Sequence, residues 1–104
     1  MTGFRVEPWT GRSGLQISGE INVLNRQEWQ SALAAAQPRT PAGGDMHLDL
    51  SGVTSVDAGG AAVIAALATR LWPDGRLVLH RPPAGLCRIL QVLWPELPGI
   101  EVRP

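Results

Sequence analysis

Hydrophobic and polar residues alternate with a period of two near the start of the chain. The alternation is loose over Phe4–Trp9 and clear over Leu15–Ile21. A period of two indicates β-strands, because successive side chains of a strand point to opposite faces of the sheet. The turn-forming residues of Thr10–Gly14 lie between the two runs. We therefore predict two strands that are joined as a hairpin by a loop.

A helical spacing follows the hairpin. Asn25 is a candidate N-cap, and Glu28 stands three residues later, where a capping box requires an acidic partner. Apolar residues then recur at the i, i+3, i+4 and i+7 positions of one helical face. These residues are Trp29, Ala32, Leu33 and Ala36. The segment Gln37–Asp45 contains two prolines and two adjacent glycines, and we expect it to be a loop.

The remainder of the chain alternates between strands and helices. Apolar runs predict strands at Met46–Leu50, Arg76–His80 and Gly99–Arg103. A helix is predicted over Ala58–Trp72. Another is predicted from the helical spacing of Leu86, Ile89, Leu90 and Leu93.

The predicted element order is therefore ββαβαβαβ. Such alternation indicates an α/β fold, with one mixed β-sheet of about four to five strands packed against about three α-helices. A chain of 104 residues is the size of a single domain, so we expect one domain over residues 1–104.

The helix predicted over Ala58–Trp72 has an unusual composition. No polar side chain occurs between Asp57 and Thr69, whereas a surface helix ordinarily has a polar face. Burial on both sides within the domain would explain this, and so would a docking surface for another protein. On the second interpretation Ala62 and Ala66 face outward, provided that the larger apolar residues point inward. Those residues are Val63, Ile64, Leu67 and Leu71.

Charge and cysteine content narrow the classes of function. Nine arginines and nine acidic residues give a net charge of zero, so electrostatics gives no support for binding of nucleic acid or an anionic membrane. The single Cys87 excludes an internal disulfide and a multi-cysteine zinc site. No apolar run approaches the ~20 residues that cross a bilayer, and the N-terminus does not resemble a signal peptide. We expect a cytoplasmic protein without membrane insertion.

Residues suited to catalysis or metal binding are few. His47 and Asp49 share a strand face, but no nucleophile motif such as G-x-S-x-G accompanies them. His80 has no partner at the spacing of metal ligands. We therefore expect no enzyme activity, no catalytic residues, no bound metal and no cofactor.

The segment Asp57–Gly60 joins a predicted strand to the apolar helix. Asp57 can cap that helix by accepting a hydrogen bond from its free N–H groups. Gly59 and Gly60 leave the amides of the first turn open. A bare helix N-terminus can hold a phosphate or press its backbone against a partner. The lack of a nearby Lys or Arg and of P-loop spacing speaks against a nucleotide.

Three segments, together with the element order, resemble the STAS domain of bacterial anti-anti-sigma factors. The run SGEIN at 18–22 is similar to the family's Gly-Glu-(Leu/Ile)-Asp segment. The run LDLSGV at 48–53, continued to Asp57, is similar to its DLSGV…(V/I)D segment. Residues 85–102 resemble its last helix and strand, in the form found in actinobacteria. The resemblance covers nearly the whole chain.

The resemblance implies partner switching. In that mechanism a STAS protein binds an anti-sigma factor, usually a histidine-kinase-like ATPase, and so frees a sigma factor. The kinase inactivates the STAS protein by phosphorylating a Ser or Thr just after the family's Asp. Here Ala58 and Gly59 follow Asp57, so Gly59 is a degenerate phosphoacceptor position, and Asn22 replaces a family acid. Ser51, Thr54 and Ser55 are hydroxyl residues of the expected turn upstream.

Two functions follow from the resemblance. We favour an anti-sigma factor antagonist that lacks the phosphorylation switch. The alternative is a STAS accessory subunit of a phospholipid-transport ABC complex that supports the ATPase, since Asp-x-Gly-Gly also resembles that subunit. Whether the protein forms a homodimer is left open by the sequence. The residues expected to bind the partner are Glu20, Asn22, Asp57, Ala58, Gly59, Gly60, Ala62 and Ala66.

Overall fold

A computed structural model describes residues 4–36 and 44–104 of the chain. The predicted order of strands and helices is confirmed, with most bounds within one or two residues of those predicted. The elements are β1 (Arg5–Pro8), β2 (Gly14–Ile21), α1 (Arg26–Ala35), β3 (Met46–Val56), α2 (Ala58–Leu71), β4 (Leu77–His80), α3 (Ala84–Leu93) and β5 (Ile100–Arg103). Most of the loop predicted at Gln37–Asp45 lies outside the described residues.

The five strands form one mixed sheet in the order β1-β2-β3-β4-β5. β1 is antiparallel to β2, and each of the other neighbouring pairs is parallel. Successive crossovers advance in one direction across the sheet, which places their helices on the same face when all have the usual right hand. Accordingly, α2 contacts both α1 and α3. The fold is a mixed sheet with one layer of three helices, and the α/β prediction of a mixed sheet packed against about three helices is confirmed.

The core lies between the sheet and the helix layer. Alternate residues of β3, namely Met46, Leu48 and Leu50, are fully buried against the helices. Each apolar side chain of this size stabilises the fold by roughly 1.5–3 kcal/mol when it is buried. Trp29 of α1 is also fully buried, and its indole N–H donates to the Gly60 carbonyl of α2 at 3.2 Å. That bond ties α1 to the first turn of α2.

Strand β3 is longer than the sequence predicted. The expected turn after Leu50 is wrong, because the strand continues to Val56 and carries Ser51, Thr54 and Ser55. The eight-residue β2 supplies a parallel partner along this whole extension, with two irregularities in register. Gly52 permits the close pairing, since a Cβ there would lie 2.8 Å from the Cβ of Ser18.

The predicted capping box at the start of α1 is also wrong. Asn25 precedes the helix, but its side chain makes no capping hydrogen bond to it. Instead, its Oδ1 accepts from the Asn22 N–H at 3.0 Å, and its Nδ2 donates to the Glu20 carbonyl at 2.7 Å. The Asn25 side chain therefore organises the loop before the helix.

Within residues 4–36 and 44–104, no helix has the length and apolar character that crossing a membrane requires.

Candidate partner-binding surface

Two of the predicted site segments meet at the carboxyl ends of β2 and β3. Ile21 pairs with Val56 at the end of the parallel ladder, and the Asp57 N–H donates to the Ile21 carbonyl at 3.1 Å. Glu20 and Asn22 therefore lie beside the start of α2, although more than thirty residues of sequence separate the two segments. Asn22 Nδ2 also donates to a Glu20 carboxylate oxygen at 3.2 Å.

Asp57 caps α2, as the sequence predicted. Its backbone is extended, and its Oδ1 accepts a hydrogen bond from the Gly60 N–H at 2.7 Å. A cap of this kind typically stabilises a helix by ~1 kcal/mol. Gly60 is buried, and a Cβ there would lie 2.7 Å from Ile21 Cγ2, so its small size is needed for packing.

The space beside Gly59 is occupied by Arg26, the first residue of α1. A Cβ on residue 59 would overlap the Arg26 guanidinium. Arg26 Nη2 lies 3.6 Å from Asp57 Oδ2, and the two side chains are 43% and 38% exposed. Arg26 Nε is buried and has no hydrogen-bond partner among the described residues. Sequence reasoning missed Arg26, because only the packing of α1 against α2 brings it to this position.

The loop between β2 and α1 holds two large apolar side chains in solvent. Val23 is 69% exposed and Leu24 is 83% exposed. Asn22 Oδ1 accepts from the Leu24 N–H at 2.9 Å, and the buried Asn25 fixes the loop from beneath. These residues were also missed, and the available signal was a pair of apolar residues flanked by two asparagines between a strand and a helix.

The outer face of α2 is a stripe of small residues. Ala58, Ala62 and Ala66 are exposed at successive i, i+4 positions, whereas Ile64 and Leu67 are fully buried. The outward orientation predicted for Ala62 and Ala66 therefore holds. We name the exposed and half-buried residues at this end of the molecule the carboxyl-end surface. It consists of Glu20, Asn22, Val23, Leu24, Arg26, Asp57, Ala58, Gly59, Ala62 and Ala66.

Other chemistry-bearing residues lie away from this surface. Cys87 of α3 is half-buried and lines an apolar cavity of about 240 Å³ beside Leu90 and Trp94. His47 and Asp49 lie on the sheet face opposite the helices. No group of three or more His, Cys, Asp or Glu side chains suited to a metal ion occurs in the part of the chain that the structure describes.

Comparison with known proteins points to one family. The family model described as "Mlab, STAS domain" matches residues 7–94. A comparison with curated protein sequences found no match.

Solved structures share the fold along the full chain. An anti-sigma factor antagonist from Mycobacterium paratuberculosis is 22% identical, with a TM-score of 0.69 over 100% of this chain and 86% of that chain. The Bacillus cell fate determinant SpoIIAA in its phosphorylated form is 16% identical, with a TM-score of 0.67 over 98% and 92%. The unphosphorylated form of SpoIIAA, an anti-sigma factor antagonist, is 15% identical, with a TM-score of 0.67 over 98% and 89%.

The family match spans most of the sequence, and the fold is similar to that of the solved structures. The chain therefore belongs to the STAS domain family.

Proposed function

We propose that this protein is a non-catalytic anti-sigma factor antagonist, whose single STAS domain extends over residues 1–104. It binds a histidine-kinase-like anti-sigma factor in the cytoplasm and thereby releases a sigma factor. The observation that carries the proposal is the carboxyl-end surface, where two segments that resemble the family's binding segments are joined by backbone and side-chain hydrogen bonds. Similar folds in solved anti-sigma factor antagonists support it.

Val23 and Leu24 are the apolar anchors of the proposed contact. Exposed large apolar residues on a loop that is held by hydrogen bonds bind with little loss of conformational entropy. The neighbouring alanine stripe of α2 lets a partner backbone approach closely. Arg26 and Asp57 add one charge of each sign at the centre.

The proposed antagonist cannot be inactivated by phosphorylation at the family's acceptor position. SpoIIAA has a phosphorylated form, but neither Ala58 nor Gly59 carries a hydroxyl group. The Arg26 guanidinium occupies the space that a side chain on residue 59 needs. Nor are Thr54 and Ser55 on a turn, since both lie in β3, where the Thr54 hydroxyl donates to the Gly19 carbonyl at 3.3 Å. We infer a surface that is permanently competent to bind.

Affinity capture with a matched pair of variants tests the role. Ala62→Glu adds a charge to the exposed stripe of α2, and Ala34→Glu adds the same charge to an exposed position of α1. The wild type and Ala34→Glu should retain a histidine-kinase-like anti-sigma factor from native lysate, and Ala62→Glu should lose it. Mass spectrometry identifies the retained protein, and circular dichroism checks that both variants are folded. Equal retention by all three proteins would refute the proposed surface.

A second candidate function is the STAS accessory subunit of an ABC transport complex. The Asp57-Ala58-Gly59-Gly60 run favours it, and the family model's description does not name an anti-sigma role. Capture of an ABC ATPase in place of an anti-sigma factor would select this function.

A further inference from the structure

Four side chains form a cluster on the sheet face opposite the helices. His47 of β3 and His80 of β4 approach each other, with Nδ1 and Nε2 separated by 2.8 Å. Arg12, from the loop between β1 and β2, places Nη1 at 3.4 Å from the first nitrogen and 3.3 Å from the second. Trp9 packs edge-on against His80 at a centroid distance of 4.8 Å. Arg12 Cζ also lies 5.1 Å from the Trp9 ring centroid.

The three facing nitrogen atoms limit how many protons the cluster can hold. The Arg12 nitrogen is always a donor, and between two neutral imidazoles one facing nitrogen donates while the other accepts. A first additional proton can enter at the far nitrogen of the donor ring, which keeps the bond but creates a second cation beside Arg12. A second proton must enter at the accepting nitrogen, which removes the only acceptor. Each step therefore weakens the contacts that hold Arg12.

The charges around the cluster do not relieve this repulsion. Arg12 has no carboxylate within 4.0 Å among the described residues, and Arg103 of β5 adds a further positive charge. The opposing acids are Asp45, Asp49 and Glu101. Glu101 is already paired with Arg103 and Arg76, and Asp49 accepts hydrogen bonds from Ser51 and Gln16.

The balance of these effects favours neutral imidazoles. Burial, followed by the charge of Arg12, lowers the pKa of His47 below its ordinary value of 6.5. Burial, then Arg12, then His47 itself, lower the pKa of His80 in the same way. A metal ion is a poor alternative occupant, because the Arg12 cation already faces both nitrogen atoms.

We propose that His47 and His80 form a proton-binding site that controls the hairpin loop at Trp9–Ser13. In the neutral state the histidine pair accepts a hydrogen bond from the Arg12 guanidinium. Arg12 and Trp9 then hold the loop against β3 and β4. Proton binding expels Arg12, and the loop loses its side-chain attachment to the pair, while the Ser13 carbonyl still accepts from the His47 N–H at 2.9 Å. The site lies near the amino-terminal half of β3, away from the carboxyl-end surface, so it stands independently of the proposed antagonist role.

Nuclear magnetic resonance of the intact protein tests the site. The two histidine rings and the Trp9 indole N–H are followed from pH 8 to pH 5, with Trp9 assigned by Trp9→Phe. We expect both histidines to titrate with midpoints below 6.5. The Trp9 signal should move with them, and the heteronuclear NOE of residues 9–13 should fall on the acidic side.

Three variants make the result decisive. Arg12→Gln should raise both midpoints, because it removes a positive charge that lowers both pKa values. Arg70→Gln removes an exposed arginine from α2 and should leave the midpoints unchanged. His47→Gln combined with His80→Gln should abolish the pH response of Trp9. The proposal is overturned if Trp9 ignores the histidine titration, or if Arg12→Gln leaves the midpoints where they were.

Discussion

At the scale of single residues, the missing phosphoacceptor and Arg26 are two parts of one arrangement. Gly59 lacks a side chain, and the guanidinium of Arg26 fills the volume that the side chain would have used. Only the terminal atoms of a flexible side chain are involved, so a larger residue 59 is strained rather than forbidden. The loss of the hydroxyl and the presence of the arginine should therefore be energetically coupled.

Gly59→Ser should destabilise the protein because its Cβ meets the Arg26 guanidinium. The control is Gly85→Ser in α3, where a Cβ meets no atom within 4 Å. Relative to that control, we expect a loss of about 1–3 kcal/mol in the free energy of unfolding, the usual range for overpacking. Urea titration measures it. Adding Arg26→Ala to Gly59→Ser should recover most of the loss, and strict additivity of the two changes would contradict the coupling.

At the scale of elements, the loop between β2 and α1 is a polar frame with an apolar tip. Both polar atoms of the buried Asn25 side chain bind the loop backbone, and Asn22 binds the Leu24 N–H. Hydrogen bonds form the polar frame, whereas the tip consists of the exposed side chains of Val23 and Leu24. Substitutions in the two parts should therefore change the free energy of unfolding by different amounts.

Asn25→Ala should cost about 1–3 kcal/mol in the free energy of unfolding, because it leaves the Asn22 N–H and the Glu20 carbonyl without their partner. Leu24→Ala, one residue earlier in the exposed tip, should change it by less than about 0.5 kcal/mol. Urea unfolding of both variants, with circular dichroism detection, gives the comparison. Similar losses in the two variants would show that the tip contributes to the fold.

The same elements show how far sequence reasoning reached. Hydrophobic periodicity and apolar runs together predicted the strands and helices that the structure describes, because both reflect which side chains are buried and burial dominates local structure. The extension of β3 was not predictable, because it depends on pairing with β2. In the sequence, Ser51, Gly52 and Ser55 are typical of a turn. The capping box predicted at Asn25 was wrong for a similar reason, because the hydrogen-bond partners of its side chain are loop atoms whose positions depend on the tertiary fold. Arg26 became visible only when α1 and α2 were packed together. Val23 and Leu24 had a signal in the sequence, as an apolar pair flanked by two asparagines.

At the scale of the whole molecule, the two faces of the sheet have different roles. The helix layer carries the core and presents the carboxyl-end surface, whereas the opposite face carries the histidine pair. Proton binding by the histidine pair therefore affects the hairpin loop on the same face of the sheet, and this effect does not pass through the core. Its effect on folding follows from the direction of the histidine pKa shifts.

Stability should fall as the pH drops below 6.5. The folded pKa of each histidine is lower than its unfolded value, so the unfolded chain binds more protons in this range, and the stabilisation fully present above pH 6.5 is lost as the pH falls towards the folded pKa. Urea midpoints measured between pH 8 and pH 5 should decline in the wild type. The decline should be smaller in His47→Gln with His80→Gln. Identical slopes would place the responsible groups elsewhere.

The hydrogen bond from Trp29 to Gly60 gives the molecule a built-in spectroscopic reporter. The indole is sealed in the core, yet its N–H ends on the carbonyl of the α2 turn that lies directly beneath the carboxyl-end surface. Strain applied to that turn by a docked protein would reach the chromophore through a single bond. Fluorotryptophan incorporation labels all four tryptophans. The fluorine resonance of Trp29, followed by nuclear magnetic resonance, would report occupancy from inside, with no dye attached to the surface itself.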